Sequence, residues 1–197
     1  MSFLFCKVDH HLEVVDRASM TFRSEHKFLI EAKEPSRFLH RDYFWTGSGA
    51  ERETLPEVVS EVDDWGFPQH RIHGPLIVEG NARILVVDLG RTLTVGEQTT
   101  VHFLHKMKDL KSTFKPMLRV RPSSLVRDQI TLKVTVPNWS GLEMHFRQFT
   151  HDTEKVLVSR KVEPQELEGG RLAFEVVIVN PNGGNLGHKL EWTHDET

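Results

Sequence analysis

Ile130, Thr131, Leu132, Lys133, Val134, Thr135 and Val136 alternate strictly between apolar and polar side chains, and Pro137 follows them. Successive side chains of an extended chain point to opposite faces, so Ile130, Leu132, Val134 and Val136 line one face. Pro137 has no N–H to donate and ends the run. Leu172 to Val179 repeats the pattern with Leu172, Phe174, Val176 and Ile178 on the apolar side, between Gly169-Gly170 and Asn180-Pro181-Asn182-Gly183-Gly184. Those flanks are turn formers, so this is a second strand held between two turns.

Working outward, the same alternation recurs at His11 to Val15, Met20 to Ala32 (with a bend expected near Glu25), Phe38 to Trp45 and Ala82 to Leu89. It recurs again at Thr99 to Met107, Leu142 to Phe149, Lys155 to Val162 and Leu190 to Trp192. The count is about ten strands, which two packed sheets can hold. Thr54 to Asp63 is open to two readings. Leu55, Val58, Val59 and Val62 have helical spacing, and Thr54 with Glu57 has the offset of a capping box. Against a helix, three of those apolar residues are β-branched, and Asp63-Asp64-Trp65-Gly66 has the composition of a hairpin turn, which favours a strand. Nothing resembling alternating strands and long helices appears, which excludes a doubly wound α/β sheet. The expected fold is an antiparallel β-sandwich, immunoglobulin-like in broad architecture, as a single domain over residues 1–197.

A 197-residue chain buries roughly 70% of the surface its unfolded form exposes, so neither metal nor disulfide is needed for folding. The formal charge of -3 gives no global attraction to nucleic acid or to an anionic membrane. One cysteine, Cys6, cannot form an intramolecular disulfide, and Met1 to Val8 lacks the charge and apolar length of a secretory signal. A reducing, cytoplasmic location is expected, without a membrane-spanning segment.

Twelve histidines raise the question of metal binding. His70 and His73, like His102 and His105, are three apart, and on a strand such residues point to opposite faces. His10 and His11 are adjacent and diverge in the same way. His40 and Asp42 share a strand face and form the starting point of a metal-dependent hydrolase reading, but they supply only two ligands. The expectation is therefore of no metal and no cofactor. Cys6 has no motif around it that would make it a nucleophile. Thr46-Gly47-Ser48-Gly49-Ala50 fails the nucleophile-elbow pattern, and Gly183 to Lys189 lacks the ending of a phosphate loop, so it reads as a hairpin loop.

Two features remain as candidate contact surfaces. The first is aromatic: Tyr43 and Trp45 share one face of their strand, as core filling or as a partner surface. The second is charge segregation. Between His102 and Arg127 the residues Lys106, Lys108, Lys111, Lys115, Arg119, Arg121 and Arg127 stand against Asp109 alone, a balance of +6. Between Ser48 and Asp64 six carboxylates stand against Arg52, a balance of -5. Opposite patches on one chain steer docking and set its register. These residues point to a non-catalytic protein-binding or assembly module, with a protein partner or a second copy as its occupant. A polyanion or single-stranded nucleic acid bound through residues 106–127, with Phe103 and Phe114 interleaved, is the alternative.

Overall fold

A computed structural model describes residues 2–16, 20–47, 56–79, 82–120, 126–181 and 185–195. The chain forms β1 (Phe3–Asp16), β2 (Thr21–Ala32), β3 (Ser36–Phe44), β4 (Glu57–Val58), β5 (Arg71–Glu79), β6 (Ala82–Leu93) and β7 (Gln98–Lys108). It continues with β8 (Met117–Val120), β9 (Val126–Pro137), β10 (Glu143–Thr150), β11 (Val156–Lys161), β12 (Gln165–Leu167), β13 (Arg171–Val179) and β14 (Leu186–Thr193). No helix occurs among the described residues. A seven-stranded sheet runs in the order β12-β13-β9-β1-β2-β7-β4, a four-stranded sheet in the order β11-β10-β14-β8, and a three-stranded sheet in the order β3-β6-β5. Pairing is antiparallel except between β1 and β9. The fold is all-β and sandwich-like, without a closed barrel.

Alternation builds the core, and its interruptions are instructive. In β9 the residues Ile130, Leu132, Val134 and Val136 are all buried, as the sequence requires. In β1 the inward set is Phe3 and Phe5, then Val8, His10, Leu12 and Val14. The parity switches at Cys6, where the pairing with β2 and β9 shifts register. An inserted bulge residue flips every later side chain to the other face, which is why the strand's first half carries no continuous period-two signal. β2 does not break near Glu25: it stays paired with β1 and β7 on both sides of that residue. The polar residues on either side of it, Ser24 and His26, face inward and hydrogen-bond each other.

Among the described residues fourteen strands stand where about ten were expected; the ones outside that count are β4, β5, β8 and β12. All but β5 are too short to set up a period, and β5 contains Gly74-Pro75 in a stretch where its pairing with β6 loses register. Within Thr54 to Asp63 the described residues contain no helix but only a two-residue strand, Glu57 and Val58, which pair with Leu104 and Phe103, and an isolated bridge from Val62 to Pro68. The Gly-rich run before Lys189 is in part a strand: Gly187 pairs with Phe149, and a Cβ there would collide with that ring.

One cluster of buried apolar side chains draws on all three sheets, including Phe28 and Val134, Leu39 and Val87, Met144 and Trp192. Phe114 ties them together, with ring centroids 4.4 Å from Phe22, 5.0 Å from Trp45 and 5.9 Å from Trp192.

Candidate functional site

The basic segment is less uniform than its charge balance implies. Lys106 and Lys108 are exposed at the end of β7, and Lys111 and Lys115 are exposed on the loop that follows. That loop is organised by the one carboxylate in it. Asp109 is buried, and its Oδ2 accepts from the Phe114 N–H at 2.6 Å while its Oδ1 accepts from the Lys111 N–H and the Thr113 hydroxyl, each at 3.4 Å. The loop is also tied to the end of β3, where Lys115 N–H donates to Thr46 Oγ1 at 2.7 Å and the Thr113 hydroxyl to the Thr46 carbonyl at 3.1 Å. The lysines thus project from an ordered frame, with Leu110 56% exposed among them.

Arg119 does not belong to that surface. It lies in β8, its guanidinium 4.6 Å from the Phe149 ring centroid and 3.0 Å from Glu154, so it joins β8 to the turn after β10. Such a stacked, ion-paired arginine is committed to the fold. Arg121 lies outside the described residues, as do the carboxylates Glu51 and Glu53.

The rest of the acidic segment forms β4 and a hairpin. Asp63 closes the turn: its Oδ1 accepts from Trp65 N–H at 3.0 Å and Phe67 N–H at 2.8 Å, its carbonyl accepts from Gly66 N–H, and its own N–H donates to the Phe67 carbonyl. Gly66 takes φ +82°, a conformation that suits glycine. The tip carries Trp65 at 82% exposure and Phe67 at 56%, flanked by the exposed Glu61, Asp63 and Asp64. The sequence marked this as a turn; that its aromatics point outward was signalled only by their place between turn residues and charges.

Tyr43 and Trp45 are not a surface. They are 6% and 3% exposed, so their shared face is the core-facing one. Trp45 packs edge-on to Phe22, and the Tyr43 hydroxyl hydrogen-bonds His105 Nδ1. Next to them lies a polar network. His10 Nδ1 and His26 Nδ1 are 2.6 Å apart, so one of these nitrogens donates to the other, and His26 Nε2, 2.6 Å from Ser24 Oγ, accepts from the hydroxyl or donates to it according to which His26 nitrogen carries the proton. Burial pushes His10 down to about 3, with Arg41 adding to the effect, and holds His26 well below its ordinary range. These imidazoles are neutral. A cavity of about 30 Å³ adjoins them, lined by His10, Ser24, His26, Arg41 and Tyr43 from one side and Leu118 from the other. Its volume is on the scale of a water molecule or two and too small for a substrate.

The pairs three apart diverge as their spacing requires: His105 is buried and His102 half-buried on the opposite face, while His70 is buried and His73 exposed. His40 is exposed and Asp42 half-buried on the same face of β3. Among the described residues no group of three or more His, Cys, Asp or Glu is placed to hold a metal ion. Cys6 is buried, and burial raises its pKa, so it is not an activated thiolate. Among the described residues no helix is long and apolar enough to cross a membrane.

No protein-family pattern matches this sequence, and no curated protein does. The fold has counterparts among solved structures. A two-domain M1 zinc metallopeptidase with a Glu-to-Ala substitution, bound to L-tryptophan, superposes with a TM-score of 0.50 at 14% identity, covering 96% of this chain and 43% of that one. The M1 zinc metallopeptidase from Deinococcus radiodurans gives the same TM-score and identity, over 96% of this chain and 42% of that one. The chain therefore resembles a β domain of M1 metallopeptidases and spans less than half the length of those chains. At that identity the likeness is one of fold.

Proposed function

We propose that this chain is a non-catalytic protein-binding or assembly module, and that its contact surface is the lysine-bearing loop after β7, read by an acidic protein partner. The observation that carries the reading is the buried Asp109 carboxylate, which orders the loop from within while Lys108, Lys111 and Lys115 remain exposed. A pre-ordered loop loses little entropy on binding, and clustered like charges steer an oppositely charged partner. A fold that makes up less than half of two-domain chains is also compatible with a role as one module among several. The net charge of -3 favours a protein partner over nucleic acid, whose modules are more often basic overall.

The test is the triple substitution Lys108→Glu, Lys111→Glu and Lys115→Glu. Far-UV circular dichroism should stay unchanged and stability should move by about 0.5 kcal/mol or less, because these side chains are exposed. Affinity capture from the native host at two salt concentrations should lose an acidic protein in the variant. Unchanged partners would overturn the proposal, and selective loss of RNA or DNA would transfer the loop to polyanion binding.

A further inference from the structure

We propose that the Trp65 hairpin docks on the basic loop of a second copy of this chain, so that copies join head to tail; this rests on the reading of the loop as a contact for acidic protein. The hairpin has what an interface anchor needs. Trp65 and Phe67 are large aromatics on a turn that Asp63 already orders, so their burial costs little conformational entropy.

Charge complementarity selects the occupant. Glu61, Asp63 and Asp64 are exposed and adjoin the aromatic tip in sequence, with the Arg71 guanidinium 5.7 Å from the Phe67 ring centroid at its base, while Lys108, Lys111 and Lys115 are exposed and adjoin the exposed Leu110. Seated on the loop, the indole meets Leu110 and lysine ammonium groups, which attract an aromatic face, while the carboxylates meet the remaining lysines. The same carboxylates disfavour an anionic lipid surface.

The two patches cannot satisfy each other within one molecule. The hairpin base lies against one end of β7, where His70 Nε2 is 3.5 Å from Thr99 Oγ1, and the basic loop leaves the other end at Lys108. At roughly 3.3 Å per residue, the ends of this 11-residue strand are about 30 Å apart. Two different patches held that far apart on one rigid strand make a heterologous contact, which propagates into rings or open chains of subunits.

Sedimentation of the full chain over a concentration series at low and physiological salt provides the test. Wild type should form species larger than the monomer, and salt should weaken them. Trp65→Ser and the triple lysine-to-glutamate variant should each remain monomeric, with a dissociation constant raised about thirtyfold or more. Mixing these two variants is the decisive arm: one retains the loop, the other the hairpin, so the mixture should form a 1:1 pair and grow no further. A monomeric wild type, association that survives Trp65→Ser, or failure of the mixture to pair would each overturn the inference. Binding of poly-L-glutamate separates the two levels. If the monomeric wild type binds it and the triple variant does not, the head-to-tail contact falls while the loop's proposed function stands; if neither binds, both fall. Trp65-dependent binding to phosphatidylcholine vesicles by a monomeric chain would also overturn it, assigning the tip to lipid.

Discussion

His10 and His11 are neighbours in β1, yet they live in different chemistries. On the inner face, His10 and His26 are hydrogen-bonded to each other in a water-poor interior that keeps them neutral, beside His105 and Tyr43. On the outer face, His11 hydrogen-bonds Thr135 at 2.9 Å and lies 3.7 Å from Glu25, while His102 meets the same carboxylate at 2.7 Å. Both faces carry imidazoles, but the outer ones share the Glu25 carboxylate while the inner ones pair with each other, Ser24 and Tyr43. The cost of leaving a partner unmade differs as well: it is large in the interior and small where water can substitute.

Acid should expose that contrast most strongly. Burial lowers the folded-state pKa of His10 to about 3 and of His188 to about 4, and it lowers His26 and His70 as well. His188 stacks on Phe146, and among the described residues neither of its ring nitrogens has a hydrogen-bond partner. Because these folded values lie below the ordinary 6.5, the unfolded chain takes up protons first as the pH falls. Stability is therefore full above about pH 6.5 and declines towards pH 4, by up to about 1.4 kcal/mol per pH unit for each such histidine. Denaturant unfolding across this range checks it; a flat profile would mean that the inner imidazoles are hydrated. His188→Phe, which removes one titrating group, should make the decline shallower.

The next largest effect is expected from His26→Leu. It leaves His10 Nδ1 and Ser24 Oγ buried without their partner and should cost about 3 kcal/mol at neutral pH. Adding His10→Leu should return more than half of that loss, because an apolar pair of similar shape leaves fewer unmet polar atoms. Urea titration of the single and double variants measures the coupling. If the double variant is worse than the single, the network contributes more than the satisfaction of its own members. His102→Leu on the outer face should have the smallest effect, about 1 kcal/mol or less, since Glu25 remains accessible to water. An effect as large as that of His26→Leu would erase the distinction between the faces.

Much of this fold was legible in the residues because one face of each long strand is buried. Strict alternation at Ile130 to Val136 and Leu172 to Val179 follows from the period of an extended chain and survives into β9 and β13 unchanged. The parity rule also separated His102 from His105 correctly. Three things were beyond local reading. A one-residue bulge at Cys6 hides half of β1, because period-two patterns cannot cross a change of phase. Pairing partners made strands of β8, against the distant β14, and of β12, against the neighbouring β13, and both are too short to carry a period of their own. Burial itself decided the sites: Tyr43 and Trp45 face inward and Trp65 outward, although all are aromatics in charged surroundings. Alternation states that two side chains share a face, a property of the backbone. Which face meets the other sheets depends on what the distant parts of the chain bring against it, and that is a property of the packed molecule.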